Sequence, residues 1–135
     1  MSVPAAGLLD TSIFIGRESG RPIAELPERV AVSVVTVGEL QLGVLATDDP
    51  DLRARRADTL ALARAADPLP IGEPVMVAWA RLVNDCRTAS IHRTVRLTDA
   101  LIAATAIEHG LSVVTQDDDF AKIARAHPPL SVTRV

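Results

Sequence analysis

Short apolar segments alternate with helical patterns along the chain, and this alternation constrains the possible folds more than any other feature of the sequence. Residues 7–9, 29–33, 69–71, 111–115 and 130–135 predict strands, the third of them an edge strand because it contains a proline. A predicted helix separates each strand from the next, as parallel pairing requires. We therefore expect one α/β domain over residues 1–135, with a mainly parallel sheet of about five strands and helices on both faces.

The spacing of apolar residues predicts the helices. Residues 75–86 give the clearest pattern, with Trp79 on the apolar stripe that faces the core. Residues 22–26 predict a short helical turn closed by Pro27. Further helices are expected directly after Asp10, over residues 35–45, 51–66 and 100–109, and from residue 119 onwards.

Composition excludes several classes of protein. The chain has one cysteine, so it can form neither an internal disulfide nor a cysteine-cluster zinc site. No apolar run approaches the roughly 18 residues that span a membrane, and the N-terminal residues do not have the pattern of a signal peptide. We therefore expect a cytosolic protein without membrane attachment.

Charge is unevenly distributed along the chain, although the net charge is only −3. Between residues 53 and 96 there are eight arginines and four acidic residues, whereas the rest of the chain is acidic. Such a segment is typical of a surface that contacts a polyanion, and equally of a solvated helical surface, so both interpretations stay open. The candidates for polyanion contact are Arg53, Arg56, Arg87, Arg93 and Arg96.

Acidic residues recur where predicted strands end and the following helices begin. They are Asp10, Glu39, Asp99, Asp117 and Asp119. Each one alone could be a helix cap, a partner of a helix dipole or a surface residue. Glu39, however, lies in an otherwise apolar stretch, where an unpaired carboxylate is costly. Because α/β sheets form their sites at the carboxyl ends of strands, a shared Mg²⁺ or Mn²⁺ that activates water for attack on a phosphodiester explains the set better.

Other proteins also gather acids at strand ends. A phosphotransfer receiver domain needs a lysine at the end of a late strand, but the single lysine, Lys122, falls in the last predicted helix. A haloacid-dehalogenase-type phosphatase needs an acid two residues after its nucleophilic aspartate, where this chain has Ser12. Both are disfavoured. A DNA-directed nuclease and a domain that binds RNA or protein without cutting remain as alternatives.

Four sequence blocks together resemble those of the PIN-domain ribonucleases. They are L-D-T-S at residues 9–12, T-V-G-E-L-Q-L-G at 36–43, T-D-A-L-I-A-A-T-A at 98–106 and V-T-Q-D-D-D-F at 114–120. Their order, their spacing and the chain length are most similar to the VapC toxins of bacterial toxin–antitoxin pairs. The resemblance covers nearly the whole chain and implies a PIN-like fold.

The resemblance implies a Mg²⁺- or Mn²⁺-dependent endoribonuclease toxin that cleaves structured RNA, often transfer RNA. The polyanion would then be RNA, and the five arginines become candidates for RNA binding. The acidic quartet implied as catalytic and metal-binding is Asp10, Glu39, Asp99 and Asp117.

The resemblance also implies supporting residues and partners. Asp119 matches an auxiliary acid of the metal site, and Ser12 and Thr115 match positions whose hydroxyls support it. Asp118 leaves open which of its two neighbours reaches the ion. Similar toxins are held inactive by a cognate VapB-type antitoxin, so we expect an antitoxin segment on the helix of residues 35–45 and on residues 13–15, and a homodimer within the toxin–antitoxin complex.

Overall fold

The computed structural model describes residues 3–135, and within them it contains four strands, six α-helices and one short 3₁₀ turn. The first half of this region comprises β1 (Ala6–Leu9), α1 (Thr11–Glu18), β2 (Arg29–Val32), α2 (Val34–Leu45) and α3 (Pro50–Arg64). The second half comprises α4 (Glu73–Thr88), the 3₁₀ turn (His92–Thr94), α5 (Leu97–Glu108), β3 (Ser112–Thr115), α6 (Asp119–Ala126) and β4 (Val132–Arg134).

The strands form one parallel sheet in the order β2-β1-β3-β4. At the carboxyl end of the sheet, Leu9 of β1 pairs with Val32 of β2 on one side and with Val114 of β3 on the other. The expected parallel α/β architecture is confirmed. It brings the ends of β1 and β3 to the same edge of the sheet, so the residues that follow these two strands are neighbours.

The sheet has fewer strands than the expected five, because residues 69–71 do not form one. Leu69 makes an isolated parallel bridge to Ser33, with its N–H donating to the Val32 carbonyl at 2.8 Å. Pro70 follows directly and has no N–H with which to continue the ladder. The prediction of a strand here was therefore wrong beyond a single bridge.

Residues 22–26 also differ from expectation, since they form no helical turn. Pro27 disfavours helical geometry in the residue before it, which shortens the segment that could form a helical turn from five residues to four. The segment is held instead by a hydrogen bond from the side-chain amide of Gln116 to the Pro22 carbonyl at 3.0 Å.

Two apolar cores cover the two faces of the sheet. Leu8 and Val113 belong to the core formed with α4, α5 and α6, whereas Leu9 and Val114 belong to the core formed with α1, α2 and α3. Neighbouring strand residues point to opposite faces, so this division confirms the expected helices on both sides. Trp79 packs against the first core, as its place on the apolar stripe predicted. No helix within residues 3–135 is long and apolar enough to cross a membrane.

Candidate active site

Asp10 directly follows β1, and its residue surface is only 4% exposed. It occupies the N-cap position of α1, but its side chain makes no capping hydrogen bond. Its Oδ2 accepts hydrogen bonds from Ser12 Oγ at 2.7 Å and from Thr115 Oγ1 at 2.6 Å. Helix capping therefore does not account for this buried carboxylate.

The two hydroxyls that hold Asp10 are themselves oriented by the backbone. Ser12 Oγ accepts from the N–H of Gln116, and Thr115 Oγ1 accepts from the N–H of Asp117, each at 3.0 Å. Each hydroxyl has a single proton, which is thereby directed to Asp10 Oδ2. No hydrogen bond within residues 3–135 engages Asp10 Oδ1, so this oxygen is available to a ligand. The structure thus places Ser12 and Thr115 where they fix Asp10.

Glu39 is held by a residue that the sequence did not single out. It lies on α2, half-buried, and its Oε1 accepts from Thr11 Oγ1 at 2.6 Å. Thr11 Oγ1 is also 3.0 Å from Thr36 Oγ1, a fully buried hydroxyl. Thr11 and Thr36 therefore link α1 to α2 and fix the carboxylate. The only signal in the sequence was that Thr11 adjoins Asp10 and that Thr36 lies on the same helical face as Glu39.

Asp99 lies in the first turn of α5 and is 4% exposed. Arg96, three residues earlier, donates from Nε to Oδ2 at 3.1 Å and from Nη2 to Oδ1 at 3.2 Å. The pair spans the start of the helix, with the carboxylate inside and the guanidinium mostly in solvent. Arg96, one of the candidates for RNA contact, is thus paired with Asp99 in this structure.

Two acids of the site, Asp99 and Asp117, have raised pKa values. Burial raises the pKa of Asp99, the hydrogen bonds from Arg96 lower it, and the charges of Asp10 and Asp119 raise it further. Burial likewise raises the pKa of Asp117, and repulsion from Asp10 and Asp119 adds to the effect. Because such charge effects act over short distances, the structure places Asp10 and Asp119 near both Asp99 and Asp117.

Asp118 faces away from this group. Its carboxylate pairs with Arg134 of β4, and its side chain is 79% exposed. Asp117 is half-buried, and the charges of Asp10 and Asp119 raise its pKa; Asp119 is exposed, and its charge also raises the pKa of Asp99. Of the three consecutive aspartates, the first and third therefore belong to the candidate site and the second does not.

Comparison with known proteins shows the family of the chain. The model of the PIN domain family matches residues 7–126. A protein from Mycobacterium tuberculosis named Ribonuclease VapC8 is 68% identical over 100 residues, which cover 74% of this chain and 89% of the relative. The chain belongs to the VapC family of PIN-domain proteins. Ribonuclease VapC5 of the same species is 47% identical over 124 residues, covering 90% of each chain.

Two solved structures have the same fold as this chain. A crystal structure of VapBC-5 from Mycobacterium tuberculosis, a member of the VapBC family of toxin–antitoxin systems, superimposes with a TM-score of 0.84 at 39% identity, covering 98% of this chain and all of the other. FitAcB from Neisseria gonorrhoeae superimposes with a TM-score of 0.65 at 28% identity, covering 97% of this chain and 96% of that one. The expected PIN-like fold is thereby confirmed.

The donor atoms of the site are those that a hard divalent cation prefers, namely carboxylate oxygens with hydroxyls behind them. The unengaged Oδ1 of the buried Asp10 is the most direct sign of such a role. Within residues 3–135, however, no three acidic, histidine or cysteine side chains lie close enough together to hold one ion. The donor set fits Mg²⁺ or Mn²⁺ in chemistry, since Mg²⁺ commonly binds through one or two carboxylates and keeps several water ligands.

The other candidate arginines of this PIN domain lie in different surroundings. Arg53 and Arg56 of α3 donate to the backbone carbonyls of Thr47 and Gly43, so both guanidinium groups connect α3 to the segment before it. Arg87 on α4 is exposed and reaches Asn84 at 3.5 Å. Arg93, in the 3₁₀ turn, is exposed and makes no ion pair within residues 3–135.

Proposed function

We propose that the chain is a ribonuclease toxin of the VapC type, which cleaves structured RNA, with transfer RNA as the expected substrate, in a Mg²⁺- or Mn²⁺-dependent reaction. The observation that carries the proposal is the buried Asp10, which is held through one carboxylate oxygen while the other is free, and whose charge raises the pKa of Asp99 and Asp117. The names of the relatives, Ribonuclease VapC8 and Ribonuclease VapC5, support RNA as the substrate.

The residues of the chain divide into ligands and positioning groups. Asp10, Glu39, Asp99 and Asp117 would hold the divalent cation, with Asp119 as an auxiliary acid. When bound, the cation supplies positive charge to the phosphate and lowers the pKa of a water molecule that attacks phosphorus. The supporting hydroxyls are those of Ser12 and Thr115, which hold Asp10, and of Thr11, which holds Glu39.

RNA would be bound mainly through its phosphates and its shape. The chain has no tyrosine, one tryptophan and two phenylalanines, and Trp79 packs against the core, so stacking on exposed aromatic rings contributes little. Arg93 is the best placed candidate, because it is exposed and precedes Asp99 by only a few residues. Arg87 and Arg96 are further candidates, whereas Arg53 and Arg56 would first have to leave their carbonyl partners.

An antitoxin segment of the VapB type would bind in a groove between α1, α2 and α3. Ile15, Leu40 and Gly43 line this groove together with Glu39 of the candidate site. Ile15 is 48% exposed, although it is a large apolar residue. An amphipathic segment can cover this apolar surface and place a basic side chain against Glu39, which would block the site. We propose a homodimer within this complex on family resemblance alone.

The test is cleavage by the purified chain, free of any antitoxin, with RNA and DNA of the same sequence as parallel substrates. We expect RNA cleavage that requires Mg²⁺ or Mn²⁺, stops on chelation and is absent in Asp10→Asn. Cleavage of the DNA alone would favour the DNA-directed alternative. RNA binding without cleavage at any divalent concentration would favour the non-catalytic alternative.

A further inference from the structure

Both carboxylate oxygens of Asp99 are already engaged by a cation of the chain itself. Arg96 donates one hydrogen bond to each of them, at 3.1 and 3.2 Å. The Asp99 side chain is 5% exposed and that of Arg96 is 63% exposed, so the guanidinium lies between the buried carboxylate and solvent. Any other cation that binds Asp99 has to compete with this group.

Arg96 also interacts electrostatically with two further acids of the site. Its hydrogen bonds to Asp99 raise its pKa, and the charges of Glu39 and Asp119 raise it further. The guanidinium is therefore stabilised by three carboxylates, two of which lie on other helices. A helical salt bridge on an ordinary surface would involve only its own partner.

We propose that Arg96 is the resident counterion of the acidic site, and that Arg96 and a divalent cation bind Asp99 as alternatives. This inference rests on the proposed function, because it uses the same carboxylates. Binding of the cation would release Arg96 from Asp99.

The divalent cation would have to displace a charged Arg96 from Asp99, because an arginine side chain keeps its charge at any pH at which the protein is folded. The coupling is reciprocal: the pairing of Arg96 with Asp99 weakens cation binding by the same factor by which the cation weakens the pairing. A displaced Arg96 keeps its charge at the edge of the site, where it can meet an RNA phosphate. Arg96 would thus pair with Asp99 before the cation binds and contact RNA afterwards, so the observed pair is compatible with Arg96 as a candidate for RNA contact.

The test measures Mn²⁺ affinity without RNA, by electron paramagnetic resonance of free Mn²⁺, for wild type, Arg96→Gln and Arg93→Gln. Both variants lose one arginine charge from neighbouring positions, but only the first loses a bond to Asp99. We expect Arg96→Gln to bind Mn²⁺ about tenfold more tightly than wild type, and Arg93→Gln to differ by less than about twofold.

Arg96→Lys keeps the charge but loses the two-pronged geometry, so its affinity should lie between those of wild type and Arg96→Gln. This variant also covers the case in which Arg96→Gln fails to fold. Unchanged or weaker Mn²⁺ binding in both Arg96 variants, or no Mn²⁺ binding by any form, would overturn the proposal. Tighter Mn²⁺ binding by Arg96→Gln in a protein that cleaves no RNA would support it while refuting the proposed function.

Discussion

Thr11 allows a sharp test of how the site is built, because its hydroxyl has two partners and its methyl group is buried. Replacing Thr11 by valine keeps the shape but removes the 2.6 Å hydrogen bond to the Glu39 carboxylate. It also removes the 3.0 Å contact with Thr36, whose hydroxyl is fully buried and has no other side-chain partner within residues 3–135. We expect this substitution to destabilise the metal-free protein.

The magnitude follows from these two losses. A hydrogen bond to a charged group contributes about 1.5 kcal/mol or more, and leaving a buried hydroxyl unpaired costs about 1 kcal/mol or more. Thr11→Val should therefore lower the free energy of unfolding by about 2–3 kcal/mol. Thr11→Ser keeps the hydroxyl and loses one methyl group, which costs about 1 kcal/mol.

The assay is urea unfolding of the metal-free protein at pH 7, with Thr11→Ser as the matched control. The double variant Thr11→Val, Thr36→Val should recover about 1 kcal/mol relative to Thr11→Val, because replacing both partners leaves no buried hydroxyl unpaired. RNA cleavage should fall about tenfold or more in Thr11→Val and much less in Thr11→Ser. Equal stabilities of the valine and serine variants would refute the role assigned to this hydroxyl.

Three further predictions concern pH, RNA and the antitoxin. The pKa of Asp117 in the folded protein lies above its ordinary value. The stability that Asp117 contributes is therefore present below about pH 4 and is lost as the pH rises through the folded-state pKa. Asp117→Asn should accordingly raise the urea midpoint of the metal-free protein more at pH 7 than at pH 4. Arg93→Ala in an Asp10→Asn background should flatten the salt dependence of RNA affinity by about 0.7 in slope, and an unchanged slope would leave Arg93 a solvated residue. Ile15→Glu should weaken binding of the cognate antitoxin by more than about tenfold. Leu97→Glu should not weaken it, because Leu97 is also an exposed apolar residue but does not line the groove. Equal effects of the two substitutions on antitoxin binding would exclude the groove as the binding site.

The sequence predicted those features that depend on residues close together along the chain. The strands before Asp10 and Asp117 and the helix that carries Glu39 follow from local periodicity, and strand ends in a parallel sheet must share an edge. The prediction failed where one residue overrides the pattern, as Pro70 does in limiting the predicted edge strand to one bridge.

Contacts between distant segments could not be read from the sequence. Thr11 and Glu39 are 28 residues apart and meet only because α1 and α2 are neighbours in the fold. The sequence left open which of Asp117 and Asp119 reaches the ion, and it gave no indication that Asp118 pairs with Arg134 of β4, which lies 16 residues away. The position of Arg96, three residues before Asp99, places the two residues near each other. Whether the guanidinium points into solvent or pairs with the carboxylate depends on the burial of Asp99, which the sequence does not show.

The consecutive aspartates also provide the most direct test of the central claim, that a shared set of carboxylates carries out metal-dependent RNA cleavage. Asp117→Asn and Asp118→Asn make the same chemical change at adjacent positions, one inside the acidic site and one paired with Arg134. The measurement is the rate of RNA cleavage at saturating Mg²⁺ by the antitoxin-free protein and both variants. We expect Asp117→Asn to lose at least about a hundredfold in rate and Asp118→Asn to stay within about threefold of wild type. Equal rates for the two variants, or a larger loss in Asp118→Asn, would contradict the account.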